Sequence, residues 1–203
     1  VEWITAALAA FALIVPVELP DKTFIATLVL ATRYRPWPVW IGVTVAFGIQ
    51  CLFAVVAGRL IALLPALPVQ LAAAALFLVG ALVLFRGARK ADAEVAEGEQ
   101  RYEQRIQDSR TGWRAAGASF LVLFAAEWGD LSQLLTAGLV AAGRPPIPVF
   151  IGSWAGLAVV AGAGVLLGRV LLKRVRLSLV RYVGATICAL LGGVTAVAAV
   201  ASI

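Results

Sequence analysis

The chain has 203 residues, 62% of them hydrophobic and only 14% charged, with a formal net charge of +6. A soluble domain of this length has no way to bury so much apolar surface, so the composition excludes an ordinary globular fold and points to an integral membrane protein. Apolar runs near residues 3–32, 38–64, 67–85, 113–142, 147–172 and 178–202 each reach about the 20 residues that a helix needs to cross a bilayer.

In chain order, the first span carries Glu18, Asp21 and Lys22 inside its apolar run and has no basic residues ahead of it, so a retained helix is expected rather than a cleaved signal. "RYRPWP" at 33–38 turns the chain into the second span, which holds Gln50 and Cys51, and "LPALP" at 64–68 leads into the third. Residues 87–112 form a linker of interleaved charge, read as a solvated loop or a short surface helix. The fourth span carries Glu127 and Asp130, "GRPPIP" at 143–148 introduces the fifth, and "KRVRLS" at 173–178 introduces the sixth, which contains Cys188. A membrane barrel is excluded, because its strands would alternate polar and apolar residues and these runs do not. Cys51 and Cys188 read as small buried hydrophobes.

The basic charge follows the connections. Arg33, Arg35, Arg86, Arg89, Lys90, Arg101, Arg105, Arg110, Arg114, Arg169, Lys173, Arg174, Arg176 and Arg181 fall on one side of the expected topology, and only Arg59 and Arg144 on the other. This is the positive-inside pattern, so it assigns the central linker to the cytoplasm and both termini to the outside of a cell inner membrane. Nucleic acid is not needed to explain the charge.

The sequence also repeats itself. Aligning "ELPDKTFIATLVLATRYRPWPVWIG" with "EWGDLSQLLTAGLVAAGRPPIPVFIG" superposes Glu18 on Glu127 and Asp21 on Asp130; after one extra residue Pro36, Pro38 and Gly42 meet Pro146, Pro148 and Gly152. Three spans in each copy would make the copies enter the membrane from opposite sides. The expected fold is therefore an all-α membrane protein of six transmembrane helices in two inverted three-helix repeats, residues 1–86 and 113–203, joined by 87–112.

Carboxylates at mid-membrane cost about 2.5–3.5 kcal/mol each, so the four acids represent roughly 10 kcal/mol that calls for a function. The Glu-x-x-Asp spacing places each pair on one helix face. Four carboxylates gathered in a dry site need either a cation among them or protons on some of them, which is the chemistry of exchange. Thr23, Ser132 and Gln133 offer neutral oxygens, Lys22 an internal counter-ion, and Gln50 either a further polar contact or a tie between helices. With no His and no Met in the chain, an oxygen-only site suits Mn2+ or Ca2+ as the transported ion, and no resident cofactor is expected.

The motifs "ELPDKT" at 18–23 and "EWGDLS" at 127–132 resemble the paired Glu-x-Gly-Asp-(Lys/Arg)-(Thr/Ser) signature of the GDT1/TMEM165 family. That resemblance covers nearly the whole chain and implies a bacterial cation/proton exchanger that exports Mn2+ or Ca2+. It also implies metal-binding roles for Glu18, Asp21, Glu127 and Asp130, supported by Thr23 and Ser132. Two positions depart from the signature: Pro20 replaces the first Gly and Leu131 the second basic residue, which leaves Lys22 as the only cation in the site. The competing classes are an intramembrane aspartyl-type enzyme, for which "WGD" offers a superficial match, and a passive cation channel or exporter of small organic cations. The first leaves the paired glutamates unused.

Overall fold

The computed structural model describes residues 2–19, 22–88, 113–174 and 177–201. Among them the chain forms eight α-helices: α1 (Glu2–Glu18), α2 (Lys22–Arg33), α3 (Pro36–Ile61), α4 (Ala66–Ala88), α5 (Trp113–Ala126), α6 (Leu131–Ala141), α7 (Pro146–Arg174) and α8 (Leu177–Ala201). Prolines set several of the starts. Pro36 and Pro146 stand at first helical positions, where the missing amide hydrogen costs nothing and the fixed φ suits the helix.

The expected six transmembrane helices in two inverted three-helix repeats are corrected here. Four stretches are long and apolar enough to cross a membrane: Pro36–Ile61, Ala66–Ala88, Pro146–Leu166 and Ser178–Ala201. The runs expected as single first and fourth spans are each broken in two, α1 with α2 and α5 with α6. None of these four pieces reaches the roughly 20 residues that a lone crossing takes. The second break is visible in the backbone, where Gly129 adopts φ +80, a left-handed conformation that ends a right-handed helix and that glycine enters without a Cβ penalty. At the first, Pro16 lies inside α1 and Pro20 follows its end, and neither has an amide hydrogen to continue the ladder.

Packing runs between the two sides of the linker. Along α3, Gly42 meets Ala116, Gln50 meets Phe124 and Gly58 meets Ala137, so α5 and α6 follow one another in parallel with α3. In the same way Gly152 of α7 meets Ala7, Gly156 meets Phe11 and Ile14, and Gly164 meets Phe24 and Thr27, which sets α1 and α2 parallel to α7. At Gly42 and Gly152 the approach is close enough that a Cβ would overlap the carbonyl oxygens of Ala116 and Ala7. Helices α3 and α7 are antiparallel to each other and braced reciprocally. The indole N–H of Trp40 donates to the Ala158 carbonyl and that of Trp154 to the Thr44 carbonyl, each at 2.9 Å.

Helices α4 and α8 form a second antiparallel pair, with Gly192 against Leu78, Gly184 against Leu84, and Arg181 donating to the Gly87 carbonyl at 2.8 Å. Phe24, Phe47, Phe77, Leu13, Ile14, Leu123 and Leu135 fill the centre. Large apolar side chains such as Leu78, Leu82, Leu190, Val194 and Val197 are exposed on the outer faces, which makes the lipid bilayer the natural surroundings of the bundle. These contacts gather Arg35, Arg86, Arg114 and Arg181 toward one end of the bundle, and Arg59 and Arg144 toward the other.

Candidate cation site

Each interrupted helix ends on a buried glutamate. Glu18 closes α1 with 1% of its surface exposed, and Glu127 follows α5 with 3% exposed. Each lies roughly 20 Å of helical rise from the tryptophan near the start of its helix, Trp3 or Trp113. Both helix ends have a link to one stretch of α3. The Gln50 amide donates to the Phe124 carbonyl at 3.1 Å, one turn before Glu127, and Glu18 lies within electrostatic reach of the neighbouring Cys51. Gln50 thus ties α3 to the end of α5, where the helix ladder has run out of donors.

The turn from Glu127 to Asp130 is built from its own polar groups. The Glu127 amide still bonds back to the Leu123 carbonyl at 3.0 Å, and the Asp130 amide closes the turn on the Glu127 carbonyl at 3.3 Å. Asp130 is the N-cap of α6, its Oδ2 accepting the Ser132 amide at 3.5 Å, so its charge faces the positive end of that helix. Gln133 clamps the turn from below: its Oε1 accepts the Gly129 amide at 3.1 Å and its Nε2 donates to the Glu127 carbonyl. The side chain of Gln133 therefore positions the segment that carries Glu127. Trp128 covers the turn from outside, against Phe124 at 5.0 Å and Phe53 at 5.6 Å between ring centroids.

Of the other expected site residues, Asp21 lies outside the described residues. Lys22 and Thr23 open α2. Ser132 is buried at the start of α6, and its carbonyl accepts the Thr136 hydroxyl at 2.7 Å. The Pro16 carbonyl, which Pro20 cannot bond, lies against Gly184 of α8. Among the described residues no three His, Cys, Asp or Glu side chains come together as a metal-holding group.

Some polar residues near the site carry no sequence signal. Thr136 and Ser153 share a hydrogen bond at 3.1 Å between α6 and α7, and both are buried. Ser119 lies two turns before Glu127, fully buried, with no hydrogen-bond partner for its hydroxyl among the described residues. Single hydroxyls in apolar helices are too common for spacing alone to mark them.

A bundle with membrane-spanning helices, in which interrupted helices hold buried carboxylates, has the build of an ion-handling membrane protein. The family model described as the divalent cation/proton antiporter GDT1 matches residues 6–92 and 115–202, and the chain belongs to that family. It is 35% identical over 147 residues to the GDT1-like protein sll0615 of Synechocystis sp., covering 68% of this chain and 71% of that one. It is 33% identical over 215 residues to the protein PAM71, chloroplastic, of Arabidopsis thaliana, covering 92% of this chain and 55% of the relative. The Arabidopsis PAM71-homolog, chloroplastic, is 30% identical over 201 residues, covering 87% and 55%. The chain thus spans about half the length of these plant relatives. The family expectation holds, whereas the relatives bear mostly chloroplastic names and do not single out a bacterial branch. No solved structure matches the chain.

Proposed function

We propose that the protein exports a divalent cation, Mn2+ or Ca2+, from the cytoplasm of a cell in exchange for protons, and that Glu18, Asp21, Glu127 and Asp130 form the exchanging site. The observation that carries this reading is the pair of buried glutamates, Glu18 and Glu127, one at each of the two helix interruptions. Two carboxylates in a dry interior are costly as bare anions, and either a divalent cation or protons relieve that cost, so the two loads compete for the same oxygens. Hard oxygen donors and the absence of His and Met favour Mn2+ or Ca2+ over softer metals. In this reading Lys22, Thr23 and Ser132 support the site, Gln133 holds its geometry, and the Arg35–Arg181 end of the bundle faces the cytoplasm. Membership of the antiporter family supports exchange rather than an aspartyl-type enzyme.

The test is reconstitution into vesicles with an imposed pH gradient, following Mn2+ and Ca2+ flux together with proton counter-flux. Metal-dependent proton movement that disappears in Glu18→Gln and in Glu127→Gln is the expected result. Metal flux independent of the pH gradient, with no protons moved, would make the protein a channel and sink the exchange mechanism. Normal exchange in either variant would show that only one of the two helix interruptions carries the site.

A further inference from the structure

Outside the carboxylate site, a crevice of about 340 Å³ opens on the surface between the start of α3 and the later turns of α7. Its walls are Pro36, Trp37 and Trp40 on one side and Ala158, Gly162 and Leu166 on the other. Gly162 leaves room beside the Trp40 indole, where a Cβ would come within 3.2 Å of Nε1. Because that indole N–H is already spent on the Ala158 carbonyl, the crevice presents carbon to whatever fills it. Trp37 stands edge-on to Trp40 at 5.7 Å and is 66% exposed, the placement of an aromatic residue at a membrane–water interface. Arg35, the residue directly before Pro36 of the crevice wall, is exposed, and among the described residues no carboxylate pairs with it.

We propose that this crevice binds an anionic phospholipid from the leaflet on the Arg35 side, with one acyl chain between Trp40 and α7 and the phosphate at Arg35. An apolar slot open to the bilayer admits a lipid tail. An exposed guanidinium one residue from the crevice wall, unpaired among the described residues and beside the positive end of the 26-residue helix α3, selects a negative headgroup. The volume is within the range of small-molecule sites. Any lipid could wet the apolar wall, so the charge preference is what distinguishes a site from ordinary solvation.

Native mass spectrometry of the detergent-purified full chain, titrated with phosphatidylglycerol and with phosphatidylcholine of the same acyl chains, tests this directly. The wild type should hold one phosphatidylglycerol about fivefold more tightly than phosphatidylcholine, the preference one arginine near a membrane surface confers. Arg35→Gln, at an exposed position, should bring the two lipids to parity. Val159→Trp, which fills the crevice from an exposed position, should weaken both lipids. If that variant melts below the wild type in lipid-free detergent, Leu166→Trp, also exposed and on the crevice wall, replaces it. Equal affinity for the two lipids in the wild type, or a preference that survives Arg35→Gln, would overturn the proposal, as would unchanged lipid binding in the filled variant. None of these readouts depends on transport.

Discussion

Replacing Gln133 isolates the device that holds Glu127. In Gln133→Ala both bonds to the turn vanish, the one accepted from the Gly129 amide and the one donated to the Glu127 carbonyl. A typical intramolecular bond is worth about 1 kcal/mol net, and the Glu127 carbonyl keeps the Asp130 amide as a partner, so its loss of Gln133 does not strand it. The Gly129 side of the turn is exposed and contributes the smaller share, while Glu127 is buried and contributes the larger. The sum is about 1–2 kcal/mol against the closed turn, which corresponds to opening about 5 to 30 times more often. Amide hydrogen exchange in nanodiscs reads this locally: the amides of Gly129, Asp130 and Ser132 should lose protection by that factor while those of α3 and α7 keep theirs. Gln133→Glu separates the two bonds. It keeps the acceptor for Gly129 but sets an oxygen against the Glu127 carbonyl, so it should open the turn nearly as often as Ala does. Unchanged protection at residues 129–132 in Gln133→Ala would show that the clamp does not hold the turn.

Three further outcomes follow from the packing and the backbone. Gly42→Ala and Gly152→Ala drive a methyl into the carbonyls of Ala116 and Ala7, so each should lower the melting temperature in detergent by an overpacking cost of about 1–3 kcal/mol. Gly193→Ala, with nothing within 4 Å of the added carbon, is the control, and melting no lower in the Gly42 or Gly152 variant than in that control would contradict the close approach. Gly129→Ala must place a Cβ at φ +80 and should cost about 1–2 kcal/mol, with Asn at the same position tolerated better; an Ala variant as stable as the wild type would mean the turn readily adopts another conformation. Leu63→Cys, at the exposed α3–α4 turn, should react with a membrane-impermeant maleimide in intact cells while Arg114→Cys stays protected, and the native Cys51 and Cys188 are buried and give little background. The reverse pattern of labelling would invert the proposed orientation.

The sequence by itself determined what depends on composition and local chemistry. Long apolar runs with prolines between them specify membrane helices near 38–64 and 147–172, because bilayer and backbone both act on neighbouring residues, and the helices start a little earlier, at Pro36 and Pro146. The two Glu-x-x-Asp motifs stood out because charge inside an apolar run is expensive wherever the run ends up, and Glu18 and Glu127 are indeed buried. Gln50 was legible as a tie between helices for the same reason. Hydropathy averages over a window, however, and three charged residues in thirty do not end a run, so 3–32 and 113–142 counted as one span each; that the longer spans break was legible only in Pro16, Pro20 and Gly129, and the chain forms two helices in each run. Whether Gly129 takes a left-handed φ depends on Gln133, which reaches back to hold the turn, and on Trp128, which packs against Phe53 of another helix. The reciprocal indole braces of α3 and α7 and the approach of Gly42 to Ala116 are likewise decided by tertiary structure. They join residues more than seventy positions apart, and no local pattern encodes which carbonyl a buried donor will find.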